Sequence, residues 1–191
     1  ADYFEKTGKY VKNHETLRDA LQLQKIDLYN LRDRWNNTYR VEFGINGNKY
    51  TVKFFSNGAN KVREENDWNT DDFEAWTSEI DYFAKRNEQI QAILKKYSEE
   101  RKSYPKSETE FKEILKANGV NFEDVKDALE RNVYLDITSY SRQSLKNEKN
   151  KTQRVTLKYI VFKLRSVGAD AVSGNEDDFN LAVYSGTIGG T

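Results

Sequence analysis

The chain has no cysteine, which excludes a disulfide, a thiolate nucleophile and any cysteine-based zinc site. Its one histidine, His14, leaves a Ser-His-Asp triad or a multi-histidine metal site without partners; at the start of a polar helix it reads as exposed surface. No apolar run approaches the roughly 18 residues that a membrane span needs, and no signal-peptide pattern opens the chain. Starting at Ala1 rather than at Met, it reads as a mature or excised soluble part. An excess of either charge is also missing. Lys plus Arg and Asp plus Glu number 31 each, so no global field draws the protein toward nucleic acid or an anionic membrane. The basic clusters Lys95-Lys96, Arg101-Lys102 and Lys146 to Lys151 read as solvated faces. Glycine-rich phosphate loops and nucleophile elbows are absent. The neighbouring carboxylates of Asp71-Asp72 and Asp177-Asp178 point to opposite faces of an extended chain, so neither pair makes the facing dyad that acid-base hydrolysis uses. A non-catalytic protein is the expectation.

What is present is charge and aromatic surface, 32% and 13% of residues, a mixture suited to small, well-solvated units whose cores lean on Tyr, Phe and Trp. The chain also repeats itself. Residues 3–21 and 97–115 align without a gap at an offset of 94: Tyr3 with Tyr97, Tyr10 with Tyr104, Asn13 with Ser107, Leu17 with Phe111, Leu21 with Leu115. Asn13 and Ser107 stand where a helix would be capped, and Ser107 with Glu110 has capping-box spacing. A second correspondence links Asp71 with Asp177 at an offset of 106, a net gain of 106 − 94 = 12 residues in the second copy. The stretch from Asn118 to Lys151 is the expected place for them.

The first copy reads as two strands, Tyr39 to Ile45 and Lys49 to Phe55, joined by the tight-turn signal Asn46-Gly47-Asn48. Phe73, Trp76, Ile80, Phe83, Ile90, Leu94 and Tyr97 then recur at spacings of three and four, which predicts a long amphipathic helix from about Asp72 to Lys102, ended near Pro105. The second copy predicts a helix at Ser107 to Ala117 and another near Phe122 to Arg131. Strands follow near Val133 to Ile137, Arg154 to Leu164 and Leu181 to Tyr184, with a turn at Asn147 to Thr152 and a tail from Ser185. The fold class is therefore α+β, two tandem modules at 1–75 and 76–191, each a helix on a small antiparallel sheet, with the long helix between the repeats.

Within that frame the run Gly168-Ala169-Asp170-Ala171-Val172-Ser173-Gly174-Asn175-Glu176-Asp177-Asp178 reads as a calcium loop. Calcium takes six to eight oxygens, usually carboxylates mixed with backbone carbonyls. Asp170, Asp177 and Asp178 offer hard oxygens, and Gly168 and Gly174 let the backbone turn so that carbonyls from Leu164 to Ala171 converge. The other reading of the same residues is an Asx-rich turn with solvated carboxylates. In the first copy Asn60 replaces the aspartate ahead of Asp71 and Asp72, and Glu64, Glu65 and Asp67 are available to restore the lost charge.

These features together resemble the soluble domain of type II secretion pseudopilins of the major, calcium-binding kind. Tyr104-Pro105, the helix at Ser107 and the loop 168–178 carry the resemblance in the second copy. In the first, Asp33, Trp35, Asn37 and Tyr39 match that family's structural tryptophan motif, with Arg34, Asn36 and Thr38 where it has Pro, Gly and Pro. The faint remnant of that motif in the second copy is Asp136 and Tyr140. The resemblance implies calcium as the cofactor, with Asp170 and Asp177 as the first side-chain ligands and Asp178 or Glu176 next. It implies an extracytoplasmic place, in a secretion apparatus or a larger protein, with other protein domains or subunits as partners. The alternative is a carbohydrate- or peptide-binding module that uses exposed aromatics such as Trp35, Trp68 and Trp76.

Overall fold

A computed structural model describes residues 2–63, 71–148 and 151–190. It divides into two units, Ala1–Tyr82 and Phe83–Thr191, so the break falls after Tyr82 rather than at 75/76. Glu64, Glu65, Asp67 and Trp68 lie outside the described residues, as do Lys149 and Asn150 at the tip of the expected turn.

Unit 1 begins with helices α1 (Asp2–Thr7) and α2 (His14–Leu23). Asn13 caps α2: its side chain accepts the Thr16 N–H at 2.9 Å while Thr16 Oγ1 accepts the Asn13 N–H at 3.2 Å, so two N-terminal amides are satisfied reciprocally. His14 is exposed at the head of α2, edge-on to Phe43. A 3-10 turn at Leu28–Asn30 leads into β1 (Arg40–Asn46) and β2 (Lys49–Ser56), an antiparallel hairpin that closes at Gly47 with φ +59°. Burial alternates along β2, with Tyr50, Val52, Phe54 and Ser56 turned inward. Val11 and Leu17 pack on Val52 and Phe54 to form the core.

The long helix expected from Asp72 to Lys102 is instead strand β3 (Phe73–Asp81) followed by helix α3 (Ala84–Arg101), which belongs to unit 2. Register explains the error. β3 pairs with β2 through Tyr50 to Ile80, Val52 to Ser78 and Phe54 to Trp76; a shift then follows, and Ser56 faces Phe73. Residues directly opposite share a face, so one face of β3 carries Ile80, Ser78, Trp76 and Phe73. The extra residue inserted at the bulge turns a step of two into a step of three, which imitates a helical period.

Unit 2 follows the same order at larger size. After α3 come a left-handed Lys102 (φ +53°), buried Pro105 and helix α4 (Glu108–Ala117), whose Glu110 N–H is capped by Ser107 Oγ at 3.2 Å. The Glu110 carboxylate takes the Lys106 N–H at 2.7 Å and the Tyr97 hydroxyl, tying α3 to α4. Phe122 to Arg131 is not a helix. It holds a 3-10 turn at Phe122–Asp124 and then a turn around Asp127, whose carboxylate accepts the N–H groups of Leu129 and Arg131 at 2.8 and 2.9 Å and so competes with helical pairing.

The sheet is built from β4 (Val133–Glu148), β5 (Lys151–Ser166) and β6 (Phe179–Gly190), antiparallel in that order. All three strands exceed expectation, and residues 185–190 continue β6 rather than forming a tail. Tyr104 donates its N–H to the Thr187 carbonyl at 2.7 Å, which anchors that end. Phe111 is the hub of the core, with ring centroids 4.7 Å from Phe162 and 6.0 Å from Tyr184. Burial pushes the Tyr104 hydroxyl up to about 12 and raises that of Tyr184 as well.

Candidate metal centre

Both expected loops are held from below by one arrangement that occurs in each unit. In unit 1, buried Asp33 accepts the N–H groups of Trp35 and Asn37 at 2.9 and 2.8 Å and the hydroxyl of buried Ser56 at 2.6 Å. Ser56 Oγ in turn accepts the Gly58 N–H at 3.1 Å. In unit 2, Asp127 accepts from Leu129, Arg131 and Ser166 at 2.8, 2.9 and 2.6 Å, and Ser166 Oγ accepts the Gly168 N–H at 3.1 Å. The match extends to the backbone, where Asn36 and Glu130 take positive φ of 65° and 61°. Burial works to raise the Asp33 carboxyl, but the bonds from Ser56, Asn37 and Trp35 outweigh it and hold the group below the usual carboxylate range.

The counterpart of the tryptophan-motif aspartate is therefore Asp127, at the offset of 94, and not Asp136. Asp136 lies on β4, 3.4 Å from Lys163, and Tyr140 stacks on Tyr159 with ring centroids 5.2 Å apart. In unit 1 the motif is spent on packing. Trp35 sits under the Arg34 guanidinium and edge-on to Phe73, Tyr39 is edge-on to Phe54, and the Asn37 amide donates to the Gly58 carbonyl at 2.8 Å. Arg131 reaches the matching Gly168 carbonyl in unit 2.

Above this base each loop is closed by an aspartate. Asp177 Oδ2 accepts the N–H groups of Ala169 and Asp170 at 2.5 and 3.1 Å, and Asp71 Oδ2 does the same for Ala59 and Asn60 at 2.5 and 3.3 Å. The closure requires glycine beneath it. Gly58 and Gly168 have φ of +62° and +64°, and a Cβ at either would overlap the Asp71 or Asp177 carboxylate. The next residue shared by both loops is an Asx turn, from Asn60 to the Val62 N–H and from Asp170 to the Val172 N–H, each at 2.8 Å.

The loops then diverge, and in unit 2 a second carboxylate closes on the turn. Asp178 is 8% exposed; its Oδ2 accepts the Tyr134 hydroxyl at 2.6 Å, the Gly174 N–H and the Asn175 N–H at 3.3 Å. The Asn175 side chain donates to Asp170 Oδ2 at 2.6 Å, so Asp170 and Asp178 hold one residue between them. Burial works to raise the Asp178 carboxyl; the Tyr134 hydroxyl, the Gly174 and Asn175 amides and Arg165 outweigh it and set it below its ordinary value. Its other oxygen, Oδ1, is buried without a hydrogen-bond donor, a state that in folded proteins signals a bound ion, a water or strain.

A calcium ion fits this donor set in part. Asp170 and Asp178 supply two carboxylates with one orphaned oxygen, and backbone carbonyls would be left to complete the shell. Asp177 is committed to backbone amides, Glu176 is exposed, and Leu164 is a buried strand residue at a break of register between Leu164 and Arg165. Arg165 works against a cation, since it donates to the Asp178 carbonyl at 3.1 Å. Among the described residues no group of three or more His, Cys, Asp or Glu side chains converges on one point. In unit 1, Asp71 Oδ1 is buried without a donor and Asp72 beside it is half-buried, but Asn60 replaces the charge that Asp170 brings. Sequence reasoning missed Asp127, Ser56, Ser166 and Tyr134; the constant offset of 94 from Asp33 would have found the first of these. No family model, curated protein or solved structure matches the chain.

Proposed function

We propose that the protein is a non-catalytic, calcium-stabilised structural and docking element made of two pseudopilin-like modules, working outside the cytoplasm in a secretion apparatus or as part of a larger protein. The observation that carries the reading is the orphaned Oδ1 of buried Asp178, a carboxylate linked to Asp170 through Asn175, on a loop whose shape is already fixed by Asp177, Gly168 and the Asp127–Ser166 bond. A divalent ion there accepts the lone pairs that no donor meets, and it holds the 170–178 turn closed. The order of the elements in each unit, a helix, a capped short helix, a buried aspartate turn and a hairpin leading to the loop, supports the pseudopilin-like assignment. Repetition of the Asp–Ser–Gly base in both units favours architecture over chemistry, since a catalytic site has no need of an identical bond set in a unit whose loop has Asn60 in place of Asp170.

Calcium that binds only the folded loop stabilises unit 2 by mass action. With a dissociation constant of roughly 10⁻⁴ M, typical of extracellular modules, and calcium at about 1 mM, the gain is about 1.4 kcal/mol. For a unit of this size that raises the melting midpoint by roughly 5–10 °C. A thermal scan of the full chain with and without calcium tests this. The expected result is a rise of that size that Asp170→Ala abolishes; an unchanged midpoint in both proteins removes calcium from the account.

A further inference from the structure

One cross-strand pair is built in both units with its residues exchanged. In unit 1, Arg40 on β1 faces Phe55 on β2, and its guanidinium lies over that ring at 4.5 Å. In unit 2, Tyr134 on β4 faces Arg165 on β5, with the guanidinium 5.9 Å from the Tyr134 ring. The positions correspond: Arg40 and Tyr134 stand at 134 − 40 = 94, and Phe55 and Arg165 at 165 − 55 = 110, the offset of Ser56 and Ser166 beside them. The exchange moves the cation from the first strand of the hairpin to the second, which runs into the loop one residue later. On β1 the guanidinium is spent on Glu42. On β5 it lies at the register break between Leu164 and Arg165 against β6, the kind of irregularity that re-aims a side chain.

There Arg165 turns to the aspartate that closes the loop. Its Nη2 donates to the Asp178 carbonyl at 3.1 Å, and its charge is felt by the Asp178 carboxylate, whose Oδ2 takes the Tyr134 hydroxyl at 2.6 Å. Each of the two residues keeps one buried atom unmatched. Arg165 Nε is a donor with no acceptor among the described residues, and Asp178 Oδ1 is an acceptor with no donor. Asp178 is 8% exposed, so bulk water does little for that oxygen.

We infer that Arg165 sets the calcium affinity of the 170–178 loop, by occupying the Asp178 carbonyl and opposing the ion with a fixed positive charge. This rests on the calcium reading above and names the residue that regulates it. Affinity at oxygen sites follows the number of ligand charges and the rigidity of the loop. Asp170 and Asp178 bring two negative charges, and Arg165 cancels one. A guanidinium does not give up its proton in proteins, so the opposition is permanent. It also serves the ion-free protein, because a buried carboxylate left without a counter-charge is strongly destabilising. The ion and Arg165 therefore compete for one residue, and the loop is held in the weak class of sites, with dissociation constants of roughly 10⁻⁴–10⁻³ M.

Calorimetric titration of calcium chloride into the full chain, Arg165→Gln and Arg165→Lys tests the inference. Arg165→Gln keeps a donor for the Asp178 carbonyl and removes the charge; Arg165→Lys keeps the charge. The expected result is binding at least tenfold tighter in Arg165→Gln, and within roughly threefold of the natural chain in Arg165→Lys. A merely structural role for Arg165 would weaken both. Should Arg165→Gln lose its melting transition, Arg165→Phe replaces it with the same expectation, since Phe55 fills that strand position in unit 1. Equal or weaker binding by the uncharged variant, or equal tightening by Arg165→Lys, overturns the inference and leaves the calcium reading standing. Binding seen only in the uncharged variant supports the inference and removes calcium from the natural chain; no saturable binding in any of them overturns both.

Discussion

At the scale of single residues, the account turns on carboxylates that face donors other than water. Asp33, Asp127, Asp71 and Asp177 each accept backbone N–H groups, and a charged acceptor makes such bonds about twice as strong as neutral ones. Asp33 shows what this means for pH. Its folded carboxyl lies below the ordinary value, so the stabilisation is fully present above about pH 4 and is lost as pH falls through the lower folded value. Acid titration of the urea midpoint is the measurement. Unit 1 of the natural chain is expected to lose stability on acidification more steeply than Asp33→Asn, which has no proton to take up; equal slopes would show that the Asp33 bonds contribute nothing to folding. Asp178 differs from Asp33 and Asp127, whose oxygens all meet donors, because its buried Oδ1 meets none. Asp71 Oδ1 is orphaned too, but the loop it closes has Asn60 where unit 2 has Asp170. In the proposed reading Asp178 is the ligand because the turn it closes also holds Asp170, to which Asn175 links it, and Asp33 and Asp127 are architecture.

Among the elements, the hairpin of unit 2 accounts for the inequality of the two copies. Ser56 and Ser166 correspond at an offset of 166 − 56 = 110, against 94 for Asp33 and Asp127, so the hairpin gains 16 residues, and the loops then give back 110 − 106 = 4. Among the described residues β6 pairs with β5 from Leu157 onward, and β4 and the first part of β5 pair with each other beyond it for roughly 20 Å. Leu145 on this ribbon is exposed, and among the residues whose burial is described those buried on β5 begin at Ile160. Replacing residues 143–156 by an Asn-Gly turn is therefore expected to change the stability of unit 2 by less than about 1 kcal/mol, because it removes no pairing with β6 and no residue shown to be buried. A urea series checks it; a loss of several kcal/mol would mean that the ribbon is part of the core.

Legibility in the sequence differed by element for physical reasons. The β1–β2 hairpin and the caps of α2 and α4 could be read because each is set by local chemistry, an Asn-Gly turn and a side chain within three residues of the amide it caps. β3 could not, because its bulge with β2 gives Phe73 and Trp76 a helical spacing, and only the partner strand reveals the register. The turn at Asp127 was hidden for a related reason. Asp127-Ala128-Leu129-Glu130-Arg131 has good helix formers, and the tertiary bond from Ser166, 39 residues away, decides against them.

For the whole molecule, the two units share one plan and differ in what they leave open. Unit 2 buries Leu115, Val120 and Val125 and has a loop with two carboxylates at one turn; in unit 1 the matching Leu21, Ile26 and Leu31 are less buried, and Asn60 takes the aspartate's place in the loop. The proposed role follows that division, an ion site that stiffens unit 2. Of this, the sequence showed the repeat and the acidic loop, since both are matters of spacing. The claim on which the assignment rests most heavily is that calcium sits between Asp170 and Asp178. Calorimetric titration of calcium into the full chain measures it directly. The account predicts a single site with a dissociation constant of roughly 10⁻⁴–10⁻³ M, lost when Asp170→Ala is combined with Asp178→Asn and unaffected by Asn60→Ala. No saturable binding, or binding that survives the double substitution, would contradict it.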